Sequence, residues 1–327
     1  MLIRPLFPFS FISGISSAGK SPDVKPWVIA AIAEEEKKPD TQLWKKEPSA
    51  DFQYEERLRR IRLLRKYEKD YPKCKMIADR LEACEPRERC CSGACPECGR
   101  LLQRWFVRKS KRLIRDEIDK PGYTLVALSI IPYWSIARPG KLHTLDPANA
   151  QRRLKYALDK AGVGVLIGGI DFSFNEDKEA RYKPFWSVHF YLITSVANER
   201  QVRQLRKIFK AAPGIPRPVR VPRFDNNAKR RSYAFKIQFK RRIGLTDENR
   251  RDGRKCRNTD RDKLRSIERL ELFMYLNQAG FEQRLIFRKV EPLIMGTKVR
   301  IRPIPIGRHR IRQKSRMGHK YQFRGSG

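Results

Sequence analysis

Cysteine carries the most specific chemistry in this chain. Of the 7 cysteines, Cys84, Cys90, Cys91, Cys95 and Cys98 crowd into residues 84–98, leaving Cys74 and Cys256 apart. Cys90, Cys95 and Cys98 read C-x4-C-x2-C, and the C-P-E-C piece is a tight turn that aims two thiolates at one point. Half of a tetrahedral zinc site is usually built this way. Cys84 and Cys90 would supply the other two sulfurs, with Cys91 the alternative to Cys90. An odd count with this crowding is poor disulfide arithmetic and good metal-site arithmetic, and it points to a reducing, cytoplasmic compartment. Four protein sulfurs leave no open position, so the zinc expected here is structural. The plain alternative is a cluster of free buried thiols.

Groups that could act as nucleophile, base or hard-metal ligand are fewer. The histidines are His143, His189, His309 and His319. His189 sits in FWSVHFYLIT, where period-2 geometry puts His189 and Tyr191 on one face and Val188, Phe190 and Leu192 on the other. Asp171, Ser173 and Asn175 alternate the same way just upstream, and Asp171 or Glu176 offers a carboxylate. Tyr233 and Lys236 lie in a basic segment with Arg230, Arg231 and Lys240. The alternation of Tyr233, Phe235, Ile237 and Phe239 is a strand pattern, which would turn Tyr233 towards the core; on a helix Tyr233 and Lys236 would be i, i+3 neighbours. No glycine-rich phosphate loop is present, because Gly162, Gly164, Gly168 and Gly169 lack both a following helix and a Lys-Ser/Thr pair.

Charge narrows the partner. The chain of 327 residues holds 73 Lys+Arg against 36 Asp+Glu, a net charge of +37. Self-repulsion of that size disfavours a compact state unless an anion answers it. Nucleic acid supplies dense phosphate and releases counterions on pairing. No long basic amphipathic helix argues for a membrane surface, no segment is apolar and long enough to span one, and no small-molecule cofactor is evident. The apolar run LFPFSFISGI is broken by Pro8 and preceded by Pro5, which makes it a poor signal peptide.

Elements must hold these groups. Residues 1–50 mix Pro, Ser, Lys and Glu without periodicity and read as a disordered leader. Residues 51–118 read as a helical region around the cysteines: Phe52–Leu81 carries Leu58, Ile61 and Leu64 at helical spacing, split by Pro72. A basic helix over Arg100–Ile118 would push Arg100, Arg104, Arg108 and Lys111 towards phosphate. Residues 119–295 read as an α+β domain. Its strands are Tyr123–Ile131 (apolar, buried and central), Gly164–Phe174, Phe185–Thr194 and Arg284–Val290, the second and third forming an antiparallel hairpin through a turn at Asn175–Asp177. Its helices are Pro147–Ala161, Asn198–Ala211 and Asp262–Gln278. Residues 296–327 read as a disordered basic tail. The expected fold class is thus α+β, a mostly antiparallel sheet with helices packed on it, preceded by a helical and zinc-ribbon-like element. Trp105, Trp134 and Trp186 are candidates for base stacking.

The order C-x4-C-P-x-C, apolar strand, W-x-x-H strand, then Y-x-x-K resembles the rolling-circle replication initiators and related transposases, the HUH endonucleases. The resemblance runs over about residues 84–240. It implies that Trp186 and His189 form the second motif, whose histidines hold Mg or Mn, and that Tyr233 and Lys236 form the third. The tyrosine would attack a phosphodiester of single-stranded DNA and keep the 5′ phosphate. Tyr191 stands where the family has its second histidine, and a neutral phenol is a poor ligand for Mg or Mn. Three outcomes follow: a metal-dependent single-stranded DNA nicking and joining enzyme, a binding protein on the same fold without the chemistry, or a zinc-ribbon factor contacting RNA or DNA.

Overall fold

The computed structural model describes residues 24–248 and 255–304. Four helices open the described residues: α1 (Pro26–Glu36), α2 (Ala50–Lys66), α3 (Pro72–Glu82) and α4 (Pro96–Leu113), the last running into a π turn at Ile114–Ile118. Then follow β1 (Thr124–Ile130), β2 (Ile136–Ala137), α5 (Pro147–Lys160), β3 (Leu166–Asp177), β4 (Phe185–Val196) and α6 (Glu199–Ile208). The chain continues through β5 (Val219–Arg220), α7 (Ala228–Tyr233), β6 (Lys240–Glu248), β7 (Lys255–Asp262) and α8 (Ser266–Ala279). The described residues finish with β8 (Leu285–Arg288), β9 (Val290–Met295) and β10 (Lys298–Pro303). Proline starts α1, α3, α4 and α5, where its missing N–H costs nothing. Ser49, Asp146, Asn198 and Asn227 cap α2, α5, α6 and α7 through side-chain oxygens.

The fold is α+β around a mixed, mostly antiparallel sheet of order β5-β1-β4-β3-β6-β7, with β2 on β4 and β8 on β3. Among the described residues, β3 and β6 are the one parallel pair within it. β3 and β4 pair over their full length, with Asp171 opposite His189 and Ser173 opposite Ser187. Both strands outrun their sequence limits, and Asn175–Asp177 lies inside β3 rather than forming the turn. Asp177 instead closes the connection, its carboxylate accepting from the Glu179 and Arg181 N–H groups. The other edge of β3 is shared: Leu166–Gly169 pairs with β8 and Ser173–Asp177 with β6. Asp171 sits at the split.

One face of the β3–β4 pair is apolar over its middle. Phe172, Phe174, Trp186, Val188 and Phe190 are buried there, with Tyr275 of α8 edge-on to Phe172 and Glu271 of α8 accepting from Trp186 Nε1 at 2.8 Å. The opposite face divides. Near Ile167 it is covered by the N-terminal helices, through Phe287 on Trp27 and Trp27 on Trp105. Near Asp171, Ser173 and Asn175 it forms the floor of a cleft.

Three expectations are corrected. The leader is not disordered after Val24: Val28, Ala31 and Ile32 of α1 are buried and Glu47 is sequestered by Arg104. The tail is not disordered at its start: β10 pairs with β9, and Glu34 of α1 accepts from the Val299 N–H. Residues 1–23 and 305–327, the rest of both proposed tails, lie outside the described residues. The helical region and the α+β region also share one apolar core, continuous from Val28 to Val299.

Candidate functional site

Two clusters of chemistry emerge. The first is the cysteine group, at the junction of α3 and α4. Cys84 follows the end of α3, Cys95 is the residue before α4, and Cys98 lies in its first turn. Cys84 Sγ is 3.6 Å from both Cys95 Sγ and Cys98 Sγ, and Cys90 Sγ is 3.8 Å from Cys98 Sγ. The four sulfurs all lie within 4.8 Å of one another and could hold a metal ion. Cys91 is not in this set; its backbone is left-handed (φ 50°), a turn that separates it from Cys90. Burial pushes the Cys95 thiol up, so a cation is what would hold it as thiolate. Cys74 is a core thiol pushed up to about 12 by burial. The support is helical and not a ribbon: among the described residues its ladder contact is a single bridge between Glu85 and Glu88. Arginines tie its carbonyls, with Arg57 donating to Leu81 O and Cys84 O, Arg60 to Ala94 O and Arg80 to Cys90 O.

The second cluster lies in the cleft, of about 810 Å3, over the β3–β4 floor. Gly169 of β3 is why the chain beyond α7 can cross here: a Cβ would collide with the Ala234 carbonyl oxygen. Gln103 of α4 pins the same segment, its Nε2 donating to Ser232 O at 3.0 Å and Phe235 O at 2.8 Å. Arg284 donates to Lys236 O and stacks over Phe235. Tyr233 therefore ends a short helix and is 39% exposed, while Phe235 and Ile237 turn into the core. The strand expected over Tyr233–Phe239 does not form: Phe235 and Ile237 are buried as the alternation suggested, but in a turn and an irregular segment, and Tyr233 is not among them.

The result brings His189, Asp171, Tyr191, Tyr233 and Lys236 together. Lys236 Nζ lies 2.5 Å from Asp171 Oδ2 and 5.2 Å from the centre of the Tyr233 ring. The rings of Tyr191 and Tyr233 are 6.1 Å apart. His189 Nε2 and Ser129 Oγ are hydrogen-bonded at 2.6 Å. Burial, and then the Lys236 charge, lowers the His189 pKa to about 3, so the imidazole is neutral. Asn175 Nδ2 donates to Ser173 O and Ser187 Oγ, both at 2.9 Å. Around this floor the lining holds nine Lys or Arg side chains and one carboxylate, Asp171. Lys229, Lys240, Arg217, Arg220 and Arg261 are exposed in it.

A divalent ion of the kind the resemblance implies does not fit these residues. One oxygen of Asp171 is occupied by Lys236. Burial raises the Tyr191 pKa, keeping a protonated phenol where a second imidazole was needed. Glu176 is on the other face of β3, paired with Arg241. Among the described residues, only the cysteines bring three or more metal-binding side chains together. Mg and Mn ligation at His189 is therefore set aside.

Several cations expected to meet phosphate do not. Arg104 is buried against Glu35 and Glu47, and Arg100 against Asp40 and Pro48 O. Arg108 reaches Glu35 and is half-buried. Arg231 is buried, donating to Val107 O and Asn226. Lys111, Arg230 and Lys240 are exposed, although Arg230 is engaged by Asp225 and Arg223 O. Trp105 and Trp186 are fully buried, which removes them as stacking platforms; Trp134 is half-buried beneath Arg153. Sequence reasoning missed Gln103, Ser129, Arg242 and Arg284, since a lone Gln or Arg on an element carries no motif. Comparison with protein-family models, curated proteins and solved structures finds no match.

Proposed function

We propose that the protein binds single-stranded nucleic acid in the cleft over β3 and β4, and that it is a replication-initiator-like DNA-binding factor. The observation that carries this is the charge of the lining: nine Lys or Arg side chains against the single carboxylate of Asp171. Such a groove tracks a phosphate backbone, and an exposed ring such as Tyr233 offers a base a stacking face. DNA is favoured over RNA by the sequence resemblance. The ion expected at Cys84, Cys90, Cys95 and Cys98 is zinc, since four thiolates at one point suit its tetrahedral preference. Its role would be to anchor α4, and through Gln103 the Tyr233–Lys236 segment.

A second reading, favoured by the exposure of Tyr233 beside Lys236, is strand transfer. The phenol oxygen would bond to phosphorus as the P–O3′ bond breaks. The 5′ phosphate would stay on Tyr233, and the phenolic proton would pass, net, to the leaving 3′ oxygen.

Anisotropy of a labelled single-stranded oligonucleotide tests the binding reading. Neutralising four or more phosphates predicts a slope of log affinity against log salt of about −3 or steeper. Arg220→Ser with Lys240→Ser should weaken binding, whereas Arg203→Ser with Lys207→Ser, on α6, should have little effect. Equal losses from both pairs, or a flat salt response, would refute a cleft-specific site. A covalent protein–DNA band lost in Tyr233→Phe would support strand transfer.

A further inference from the structure

The cation at the floor of the cleft is held in place before any ligand arrives. Lys236 Nζ is fixed by Asp171 at 2.5 Å, and its backbone carbonyl accepts from the buried Arg284. An ordinary surface lysine gives up rotamer freedom when it is ordered on a ligand. Here the fold has already restricted it, which is what preorganised recognition requires.

The charges next to Lys236 are unbalanced. Arg284 is 1% exposed and has no ion pair among the described residues; burial lowers its pKa to about 10. Arg242, half-buried opposite Asn175, also has no ion pair among the described residues, and burial lowers its pKa too. Together with Lys236 these are three cations around one carboxylate, Asp171. Partly dehydrated charge without a counterion is costly. An anion completes the group, and a dication adds to the repulsion. The donors point the same way: the neutral His189 and a carboxylate already occupied fall short of the several oxygen ligands that Mg or Ca sites use.

We infer that Lys236, oriented by Asp171, is the cation that receives the phosphodiester in this cleft, and that phosphate is bound there without a divalent metal. The inference rests on the nucleic-acid reading and names how that site holds its ligand. The Lys236 ammonium donates to a non-bridging phosphate oxygen, with Arg242 beside it. Tyr233, 5.2 Å from Lys236 Nζ, then faces the same phosphate or its base.

The test uses full-length protein and a fluorescein-labelled single-stranded DNA oligonucleotide at constant ionic strength. Dissociation constants are measured in EDTA, in Mg and in Mn, for wild type, Lys236→Met, Lys236→Gln and His189→Gln, with thermal melting to verify folding. Wild-type affinity should agree within about twofold across the three buffers, and each Lys236 variant should lose about tenfold in all of them, the scale of one charged hydrogen bond. His189→Gln should introduce no metal response. Binding that tightens tenfold or more with Mn and loses that gain in His189→Gln would overturn the inference alone. So would folded Lys236 variants that bind like wild type. No binding by wild type in any buffer would instead overturn the nucleic-acid reading, and this inference with it.

Discussion

Replacing Gln103 with leucine cuts the link between the cysteine-anchored helix and the cleft. Gln103 is buried on α4, and its amide serves two carbonyls, Ser232 O at 3.0 Å and Phe235 O at 2.8 Å. Leucine keeps most of the volume and donates nothing. Each lost hydrogen bond is worth about 1 kcal/mol net, and each carbonyl left buried without a donor raises the cost towards 1–3 kcal/mol. The total is about 2–5 kcal/mol. At roughly 2–4 °C per kcal/mol, the melting temperature should fall by about 4–20 °C. Other ties remain, notably Arg231 Nε donating to Val107 O at 3.1 Å and Ile237 packed on Gly99. The segment should therefore loosen without being lost. Hydrogen exchange should accelerate at residues 232–237 more than in β4, and oligonucleotide affinity should drop. A variant with the wild-type melting temperature and unchanged exchange at 232–237 would show that α4 does not hold this segment.

Three further outcomes are expected. Elemental analysis should find one zinc per chain, lost in Cys98→Ser, and chelation should lower oligonucleotide affinity because α4 starts at Cys95–Cys98; stoichiometric zinc in Cys98→Ser would contradict the ligand set. Acid should destabilise the fold through His189. Its folded pKa of about 3 lies below the unfolded value of 6.5, so the unfolded chain binds the extra proton and stability falls as pH drops from 6.5 towards 3. His189→Gln should remove a slope of at most about 1.4 kcal/mol per pH unit, measured by denaturation at several pH values; an unchanged slope would mean the imidazole is already protonated in the fold. Gly169→Ala should be strongly destabilising, because the Ala234 carbonyl occupies the space of the new methyl group; near-wild-type melting would disprove the close crossing.

Much of the α+β frame was readable because its signals are local. Pro72 split two helices, Pro132 followed β1, and the apolar runs became β3 and β4. The cysteine spacing pointed to a four-sulfur cluster, and the structure chose Cys90 over Cys91 through a left-handed turn that spacing alone does not encode. Period 2 put Asp171, His189 and Tyr191 on one face correctly. What stayed hidden depends on distant partners. Helix α1 is short and partly charged, and it is held by burial against α4 and by Glu34 on β10. Arg100, Arg104 and Arg231 looked like phosphate ligands because composition counts charge without seeing the carboxylates and carbonyls that bury it. The pairing of Lys236 with Asp171 joins residues that only the crossing at Gly169 brings together.

The most direct measurement of the central claim is photocrosslinking of an iodouracil-substituted single-stranded oligonucleotide, followed by mass spectrometry of the crosslinked peptides. The account predicts adducts on the segment containing Tyr233 and on the Tyr182 and His189 peptides that line the cleft, suppressed by unlabelled oligonucleotide. Adducts confined to α5, α6 or the residues beyond 304, with the cleft peptides unmodified, would contradict it.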